Sequence, residues 1–354
     1  MNILFITDLY PVILEKEQST PKTLLNFVKH WENNGHNVTV LKPNFILNSI
    51  LRNKRIYKTG WYENIFNVNY LSPFLFDVKR KIPNIFYEVI IAHMPSGIIF
   101  SNKLNGKTIC AVHNSDIEVL TNPLYSIYFK KQMEIAYNNA LGIACRSQIL
   151  RKNFLSFYPQ YADKTFLCES GINFKPILRK FKSYKNIVTC ANLIKRKNID
   201  KLILAINELP HLNLKIIGDG PELEKSKKIA KSNIHFLGRK TNAEALSIMK
   251  KSDIFILPST KETFGQVYLE AMGCGCITIG TINDGVDGII KNNKNGFLVE
   301  SNVDEIKSIL IKITNMPKSH CNKILRNCYN TVKTYDNSIC ADNYLNNVID
   351  LLCK

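Results

Sequence analysis

The sequence has no long uninterrupted hydrophobic run. No stretch of its 354 residues approaches the roughly 20 apolar residues that a helix needs to cross a bilayer. The N-terminal segment MNILFITDLYP lacks the basic region of a secretory signal peptide, and its apolar run is too short for one. These absences predict a cytoplasmic protein, for which any membrane contact is peripheral, at the inner face.

The chain contains ten cysteines, but none of them stand at the spacing of a zinc site. No C-x-x-C motif occurs, and the closest pair, Cys274 and Cys276, has no histidine or second pair at the spacing of a zinc site. Cys110, Cys145 and Cys190 lie within apolar stretches, as small buried thiols do in a reducing compartment. The cysteine pattern therefore predicts neither structural zinc nor a disulfide framework.

Acidic residues are few relative to basic ones. Against 47 Lys and Arg stand 29 Asp and Glu, which leaves a formal net charge of +18. Such an excess fits three classes of partner: nucleic acid, an anionic membrane surface or a phosphorylated substrate. Because lysine is used heavily along the whole chain, the charge alone does not choose among them.

The composition and the order of apolar segments predict an α/β fold. Hydrophobic residues make up 45% and charged residues 21%, as in globular proteins. Runs such as NILFIT, VIIAHM and KTICAVHN are continuous rather than alternating, and helix-period segments separate them. This pattern indicates parallel strands covered by helices on both faces.

The alternation occurs twice, so we expect two Rossmann-like, doubly wound domains facing a central cleft. The basic, proline-containing segment 173–186 lacks an apolar period and is interpreted as the linker. Residues 1–175 would form the N-terminal, acceptor-side domain and residues 186–333 the C-terminal, nucleotide-sugar-binding domain. Residues 334–354 would form a helix that packs back on the first domain.

Basic and glycine-containing turns follow the predicted strands of the C-terminal domain. Arg196 and Lys197 come after its first strand, at the start of the next helix. Gly218, in IIGDGP, and Gly238, in FLGRK, stand where the backbone must pass closely or adopt a positive φ. Since ligands of doubly wound sheets bind at the carboxyl ends of strands, we expect these turns to border one site.

The stretch KETFGQVYLEAM follows the fourth strand of the same domain. Gly265, Gln266 and Val267 fall at the expected helix N-terminus, where N–H groups and the helix dipole favour a phosphate. Glu262 precedes the helix, and Glu270 lies roughly 7 Å along it from Gly265. Carboxylates accept hydrogen bonds from vicinal hydroxyls but repel phosphate. The order therefore predicts a diphosphate in the middle, with a sugar and a ribose on either side.

KETFGQVYLEAMGCG, preceded by IIGDGPELEK and IHFLGR, resembles the donor-binding domain of retaining GT-B glycosyltransferases of family-four type (glycosyl transferases group 1). That family carries two glutamates separated by seven residues, as Glu262 and Glu270 are here. The resemblance is strong over residues 186–300. It is weaker over the N-terminal half, where GHNVTVL, IIAHMPSG, VHNSD and ESGIN match family-like positions.

The resemblance implies a role for each matched residue. Glu262 would contact the transferred sugar, Glu270 the ribose hydroxyls, and Lys197 with Arg196 the diphosphate. His93 would face the sugar from the N-terminal domain. The other residues assigned to donor binding are Gly218, Gly238, Arg239, Phe264, Gly265, Gln266 and Val267.

The chain departs from the family at two loops. The family often has Gly-Arg-Leu where this sequence has Ala191, Asn192 and Leu193, so Arg196 is expected to replace the missing arginine. The loop after the first strand, YPVILEKEQSTPK, lacks the usual glycine pair near the donor phosphates. Either this loop is remodelled for a particular acceptor, or the donor is held differently.

Each of these signals has a structural alternative. Two glutamates at a helix start are, taken alone, a solvated helix end; the neighbouring glycines and cations favour the site. For Lys197 the alternative is an ordinary surface lysine, since lysines are numerous in this chain. A histidine after an apolar strand is often simply packed, which is the alternative for His93 and for His113.

Basic clusters occur at residues 51–58, 77–83 and 178–185. The structural interpretation of such clusters is a set of solvent-exposed charged faces. For the first two clusters, docking to an anionic bilayer is favoured, helped by the aromatic residues Phe74, Phe76 and Phe86.

The expected activity is transfer of a sugar from a nucleotide-diphosphate sugar, a UDP-sugar in preference to a GDP-sugar, to a hydroxyl acceptor such as a lipid-linked or cell-surface glycan. Retention is implied by the resemblance. No Asp-x-Asp stands at an apparent strand end, so no metal and no cofactor are expected. The rivals are a nucleotide-sugar epimerase or phosphorylase on the same fold, and a non-enzymatic nucleic-acid-binding protein. The sequence shows no lysine in the context of a pyridoxal site, which a phosphorylase would need, and no recognisable nucleic-acid-binding module.

Overall fold

The computed structural model describes residues 1–7, 9–10, 22–44, 65–69 and 82–354. The chain forms two compact units. The first comprises Met1–Arg146, Leu150–Ser170 and Asn337–Lys354, and the second comprises Ser147–Ile149 and Gly171–Asp336.

The first unit is built on a seven-stranded sheet with the order β3-β2-β1-β4-β5-β6-β7, in which the neighbouring strands are all parallel. Its strands are β1 Asn2–Ile6, β2 Asn37–Asn44, β3 Ile65–Asn69, β4 Val89–His93, β5 Thr108–Val112, β6 Gly142–Cys145 and β7 Thr165–Leu167. Its helices are α1 Thr23–Asn33, α2 Met94–Ser101, α3 Asn114–Thr121, α4 Pro123–Asn139, α5 Gln148–Phe157 and α12 Asn337–Cys353, with a 3-10 helix at Pro159–Lys164.

The last helix, α12, packs on α1 through aromatic residues of the first unit's core. Trp31 is fully buried, and its indole N–H donates to the carbonyl oxygen of Ala341 at 2.9 Å. The rings of Trp31 and Tyr344 meet edge to face, with their centroids 5.6 Å apart. Burying two large rings, with the indole N–H paired, fixes the end of the chain on this unit.

The second unit contains a six-stranded parallel sheet with the order β10-β9-β8-β11-β12-β13. Its strands are β8 Asn186–Cys190, β9 Asn213–Ile217, β10 Ile234–Phe236, β11 Ile254–Ile256, β12 Ile277–Thr281 and β13 Phe297–Val299. Its helices are α6 Ile199–Asn207, α7 Leu223–Ile229, α8 Asn242–Lys250, α9 Gln266–Gly273, α10 Val303–Thr314 and α11 Lys318–Lys333, with a 3-10 helix at Lys195–Lys197. The central strands are apolar on both faces, as continuous hydrophobic runs predict.

The segment predicted to be the linker has no helix or strand, but it is held firmly against the second unit. The Arg179 guanidinium donates to the carbonyl oxygens of Gly275 at 2.8 Å and Lys250 at 3.0 Å. Phe181 is 5% exposed and belongs to the core of this unit. Irregular segments of this kind carry no periodic signal, because their packing depends on single side chains.

The strand orders place a topological switch point between β1 and β4 in the first sheet and between β8 and β11 in the second. Ligands of doubly wound sheets bind beyond the carboxyl ends of the strands at such a point. In the second unit, the turns after β8 and β11 carry Lys197 and Glu262. The fold therefore brings these two predicted site residues to adjacent strands.

Candidate active site

Lys197 ends the short 3-10 helix that follows β8, and it is a buried lysine. The next residue, Asn198, adopts a left-handed conformation with φ 51°. Its amide donates to the carbonyl oxygen of Pro258 at 2.9 Å and to the Ser301 hydroxyl at 2.8 Å. These contacts fix the turn after β8 against the turn after β11, so the lysine is positioned by the fold.

Glu262 lies in the loop after β11 and forms ion pairs with both predicted cations. Its Oε1 accepts from the Lys197 ammonium and, at 3.0 Å, from the Arg196 guanidinium. The Ser259 hydroxyl donates to the same oxygen. The side chains of Lys197 and Glu262 are 11% and 14% exposed, so the pair is shielded from water. In the described part of the chain all three bonds reach Oε1, which leaves Oε2 as an acceptor for a ligand hydroxyl.

The charge state of Glu262 follows from these neighbours. Burial alone would raise the pKa of the carboxyl, but Lys197, the Ser259 hydroxyl and Arg196 together hold the pKa below its usual range. Glu262 is therefore an anion at neutral pH. Two cations against one carboxylate leave the group with a net positive charge, which suits an anionic ligand.

Arg196 also supports the loop that carries Glu262. Its carbonyl oxygen accepts from the backbone N–H of Thr260 at 2.8 Å, and its Nη1 lies 3.4 Å from the carbonyl oxygen of Lys261. Lys261 has a positive φ of 61°, which is an uncommon conformation for a non-glycine residue. The Arg196 side chain is 40% exposed, so it can bind this loop and still reach a ligand.

Helix α9 begins at the end of the same loop, with Gly265 as its N-cap. Gly265 has φ 82°, and a Cβ there would lie 2.6 Å from the ring of Tyr268, so only glycine fits. The Tyr268 hydroxyl donates to the carbonyl oxygen of Leu257 at 2.7 Å and ties the first turn of α9 to the end of β11. The first turn of a helix presents N–H groups without intrahelical acceptors and the positive end of the helix dipole. This turn is thus a suitable position for a phosphate.

Glu270 lies farther along α9, and one residue that the sequence did not predict holds its side chain. Asn242, the first residue of α8, donates its amide to Glu270 Oε1 at 2.9 Å. Burial raises the pKa of Glu270, while the Asn242 hydrogen bond opposes that shift. The structure thus presents a partly buried carboxylate that protonates at a higher pH than an exposed glutamate does.

Replacement of Glu270 by Gln is expected to weaken UDP and UDP-sugar binding alike, by about tenfold, because one acceptor for ribose hydroxyls is lost. Since the pKa of Glu270 is raised, wild-type affinity should also fall more steeply on the acid side than the affinity of Glu270→Gln. Calorimetric titration of UDP between pH 5 and 8 measures both effects. Glu224→Gln, in an exposed side chain on α7, is the matched control. Equal UDP affinity in Glu270→Gln and wild type would contradict the ribose role.

Asp284, in the turn after β12, binds the backbone of Glu262 and was not predicted from the sequence. Its Oδ1 accepts from the backbone N–H groups of Glu262 at 2.7 Å and Gly285 at 2.9 Å. A Cβ at Gly285 would lie 2.6 Å from the carbonyl oxygen of Glu262, so the two loops touch through their backbones. Asp284 is 7% exposed, and burial raises its pKa to about 6.

Asp284 therefore gives a stability prediction with a definite sign. A carboxyl with a raised pKa binds its proton more tightly in the folded state, so its contribution to stability falls as pH rises toward 6. Relative to Asp284→Asn, the wild type should gain free energy of unfolding between pH 7 and pH 5. Asp284→Ala leaves two buried N–H groups without an acceptor and should be about 1–3 kcal/mol less stable than Asp284→Asn. Urea unfolding at both pH values measures these differences, and a wild type–Asn difference independent of pH would contradict the assignment.

Of the two predicted glycines in the neighbouring turns, Gly218 is in close backbone contact, whereas a Cβ at Gly238 would meet open space. Gly218 has φ 137°, and a Cβ there would lie 1.8 Å from the carbonyl oxygen of Ala191, in the turn that leads to Lys197. Its N–H donates to the carbonyl oxygen of Gly238 at 2.9 Å, and Gly238 itself has φ 67°. Arg239 follows as an exposed residue. These turns lie at the carboxyl ends of β8, β9 and β10, the edge predicted for them.

Three more predicted donor-site residues surround the N-terminus of α9. Phe264 is 5% exposed and packs in the core, with its ring centroid 6.2 Å from that of Tyr335. Gln266 donates its amide to the carbonyl oxygen of Gly171 at 2.9 Å, and Val267 packs partly buried against the core. The side chain of Phe264 thus supports the loop, and the binding roles predicted for the three residues stay predictions.

His93 is fully buried in the core of the first unit, at the end of β4. Its Nδ1 lies 3.1 Å from His113 Nε2, and its Nε2 lies 3.2 Å from the Tyr344 hydroxyl. Both ring nitrogens are therefore engaged, as in the packed histidine that was the alternative at this position. The prediction that His93 faces the transferred sugar remains untested.

Other expectations concern parts of the chain outside the described residues. The cluster 51–58 and the residues Phe74 and Phe76 lie there, as does most of the cluster 77–83. Phe86 is described and is 78% exposed. Across the described ranges, no helix combines the length and the apolar composition that crossing a bilayer requires. Nor do three His, Cys, Asp or Glu side chains come together as metal ligands in those ranges.

A doubly wound unit with a carboxylate, two cations and a helix N-terminus at its switch point has the features of a nucleotide-binding transferase. Residues 172–331 match the family model described as glycosyl transferases group 1. The second unit is therefore a glycosyl transferases group 1 domain, which confirms the resemblance drawn from KETFGQVYLEAMGCG.

Comparison with individual proteins gives a similar glycosyltransferase and solved structures of the same fold. An uncharacterized glycosyltransferase of Methanocaldococcus jannaschii is 32% identical over 224 residues, and the match spans 62% of this chain and 62% of that protein. Sucrose-phosphate synthase from Thermosynechococcus elongatus superposes with a TM-score of 0.76 over 99% of both chains at 14% identity. HepE of Anabaena in complex with UDP superposes with a TM-score of 0.73 over 99% of this chain and 100% of that chain, at 17% identity. These likenesses confirm the predicted GT-B fold of two Rossmann-like units.

Proposed function

We propose that this protein transfers a sugar from a nucleotide-diphosphate sugar to a hydroxyl acceptor. The observation that carries the proposal is the Lys197–Glu262–Arg196 group beside the N-terminus of α9, with Glu270 farther along the same helix. This order of charges matches the order of parts in the donor: sugar, diphosphate and ribose. UDP is the proposed nucleotide, and the complex of HepE with UDP, a protein of the same fold, supports that choice.

Each charged group has a proposed part in the reaction. Glu262 Oε2 accepts from a hydroxyl of the transferred sugar, while Oε1 stays paired with the two cations. Lys197, Arg196 and the first N–H groups of α9 stabilise the negative charge that develops on the leaving diphosphate. Since Glu262 is held by two cations, it serves as a positioning anion. The acceptor hydroxyl oxygen attacks the anomeric carbon as its bond to the diphosphate oxygen breaks, and the hydroxyl proton passes to the leaving diphosphate.

The stereochemistry and the acceptor complete the proposal. Attack on the face from which the diphosphate departs gives retention, which the family resemblance supports. The charge of the leaving group is balanced by protein cations, so we propose that neither a divalent metal nor a cofactor is needed. The acceptor is proposed to be a lipid-linked or cell-surface glycan, reached by peripheral contact with the inner face of the membrane.

The reaction is tested by product analysis with UDP-glucose, UDP-galactose, UDP-N-acetylglucosamine and GDP-mannose, in the presence of EDTA. The account predicts nucleotide release with one UDP-sugar and an axial-to-axial outcome at the anomeric carbon by NMR. Inversion would contradict the proposed retention, and loss of turnover in EDTA would contradict the proposed independence of metal. Turnover to an epimerised nucleotide sugar, with no nucleotide released, would favour the epimerase alternative instead.

A further inference from the structure

The carboxyl edge of the first unit's sheet carries a second polar cluster, which the proposed donor site does not use. Four neighbouring strands, β4 to β7, end in or are followed by His93, His113, Arg146 and Ser170. All four side chains belong to the same unit, and all are at least 92% buried, His113 being the most exposed at 8%. This edge is where parallel α/β sheets bind their ligands.

Arg146 is the charged member of the cluster, and it is only 4% exposed. Its Nη2 donates to the Ser170 hydroxyl, its Nη1 lies 3.7 Å from the Cys168 sulfur, and its guanidinium carbon lies 5.6 Å from the centre of the Phe27 ring. Among the described residues it forms no ion pair with a carboxylate, unlike Arg196 or Arg179. A buried guanidinium whose partners among the described residues are neutral is costly unless an anion joins it.

The two histidines beside Arg146 do not supply a negative charge. Burial and the positive charge of Arg146 lower the pKa of His113 to about 3, and burial, His113 and Arg146 lower that of His93 well below its usual range. Both histidines are therefore neutral. On α3, the Asp116 carboxylate accepts the backbone N–H of His113 at 2.7 Å, and none of the ion pairs among the described residues joins it to Arg146.

Two helices add to the positive potential at this edge. Helix α2 begins directly after His93 and helix α3 directly after His113, so each of the two histidines is an N-cap. The positive ends of both helix dipoles thus lie beside the cluster. Met94, the first residue of α2, has a φ of 68°, an uncommon conformation for a methionine.

We propose that Arg146 is the binding group of an anion subsite in the first unit, and that it binds a phosphate or carboxylate group of the acceptor. The donor's diphosphate has its own cations, Lys197 and Arg196, in the second unit, which is why the acceptor is assigned here. The identity of the ligand as acceptor rests on the proposed function, whereas the anion subsite itself does not.

The first test uses inorganic phosphate as the probe and thermal unfolding as the readout. Phosphate at about ten times its Kd should raise the Tm of the wild type by roughly 3–6 °C relative to sodium chloride of equal ionic strength. Arg146→Met should lose this rise. Lys152→Met removes an exposed cation from the same unit and should keep it. Absence of the rise in wild type, or its persistence in Arg146→Met, would overturn the proposal.

Two further arms separate the subsite from the donor site and do not depend on the Arg146 variant folding. The phosphate-induced rise should persist in Lys197→Met, and it should persist in wild type saturated with UDP. Loss of the rise in both would assign the phosphate to the donor site and overturn the proposal. A wild type that responds to phosphate through Arg146 but binds no UDP would contradict the proposed function and leave the anion subsite standing.

The assignment to the acceptor is tested by transfer to matched neutral and phosphorylated or carboxylated forms of one acceptor. Wild type should prefer the anionic form, with a KM at least tenfold lower, and Arg146→Met should lose that preference. An equal preference in both proteins would overturn the assignment to the acceptor.

Discussion

Replacement of Lys197 by Met is expected to lower kcat by about 10²–10³-fold while leaving the fold intact. The Lys197 ammonium is buried beside Glu262, where it faces the charge that develops on the leaving diphosphate. A positioned group that stabilises transition-state charge in a shielded site is typically worth about 3–4 kcal/mol. Steady-state nucleotide release with the preferred UDP-sugar measures the effect.

Lys195→Met is the matched control for this substitution. Lys195 lies in the same 3-10 helix, carries the same charge and is exposed. Its replacement should change kcat by less than about twofold, because exposed charges are screened by water and salt. If the two variants lost activity equally, the effect would come from overall charge, and the catalytic role of Lys197 would be wrong.

Replacement of Glu262 by Gln is expected to lower kcat/KM by about 10²-fold. It should also affect the affinity for the UDP-sugar and the affinity for UDP differently. The carboxylate binds the sugar in our account, so UDP-sugar should lose affinity. Plain UDP should bind at least as tightly as it does to the wild type, because a negative charge near the diphosphate is removed and Lys197 and Arg196 are released from it. Calorimetry with UDP and with the UDP-sugar gives both affinities.

The contrast with Glu270→Gln makes this result specific. Glu270→Gln should weaken both ligands together, since both contain the ribose. A loss of UDP affinity in Glu262→Gln that equals the loss of UDP-sugar affinity would contradict the placement of the sugar at Glu262. Circular dichroism of both variants against Glu224→Gln shows whether either substitution disturbs the fold.

The sequence predicted the fold well because parallel sheets have a strong local signal. Continuous runs such as NILFIT and VIIAHM became β1 and β4, and the glycine at the start of α9 has the positive φ that its position requires. Strand β3 was not predicted, and the packing of Arg179 and Phe181 in the linker segment could not be. Both depend on which side chains meet in three dimensions, and no period in the sequence records that.

The candidate site divides in the same way. Lys197, Arg196 and Glu262 were predicted together because each follows a predicted strand of one doubly wound domain, and the structure joins them in one ion-pair group. Asn242 and Asp284 were missed because each acts on a predicted residue through a single tertiary hydrogen bond. The turn NDGVDG gave a weak signal for Asp284, since Asp and Gly favour tight turns.

His93 and Arg146 lie at the same edge of the first sheet. IIAHMPSG suggested a ligand-facing histidine, which stays a prediction, and in the structure both His93 ring nitrogens have partners in the core of the first unit. The charged group at that edge, Arg146, stands in a segment that had no motif to mark it. Its significance comes from burial without a carboxylate partner in the described ranges, a property that only a three-dimensional arrangement reveals.

The most direct test of the central claim is calorimetric titration of the wild-type protein with UDP, UMP and the UDP-sugar that supports turnover. A site that spans sugar, diphosphate and ribose predicts affinity rising in the order UMP, UDP and UDP-sugar, with the gain from UMP to UDP lost in Lys197→Met. Equal affinities for UMP and UDP, or no binding of any nucleotide sugar, would contradict the assignment of Lys197, Glu262 and the α9 N-terminus as a donor site.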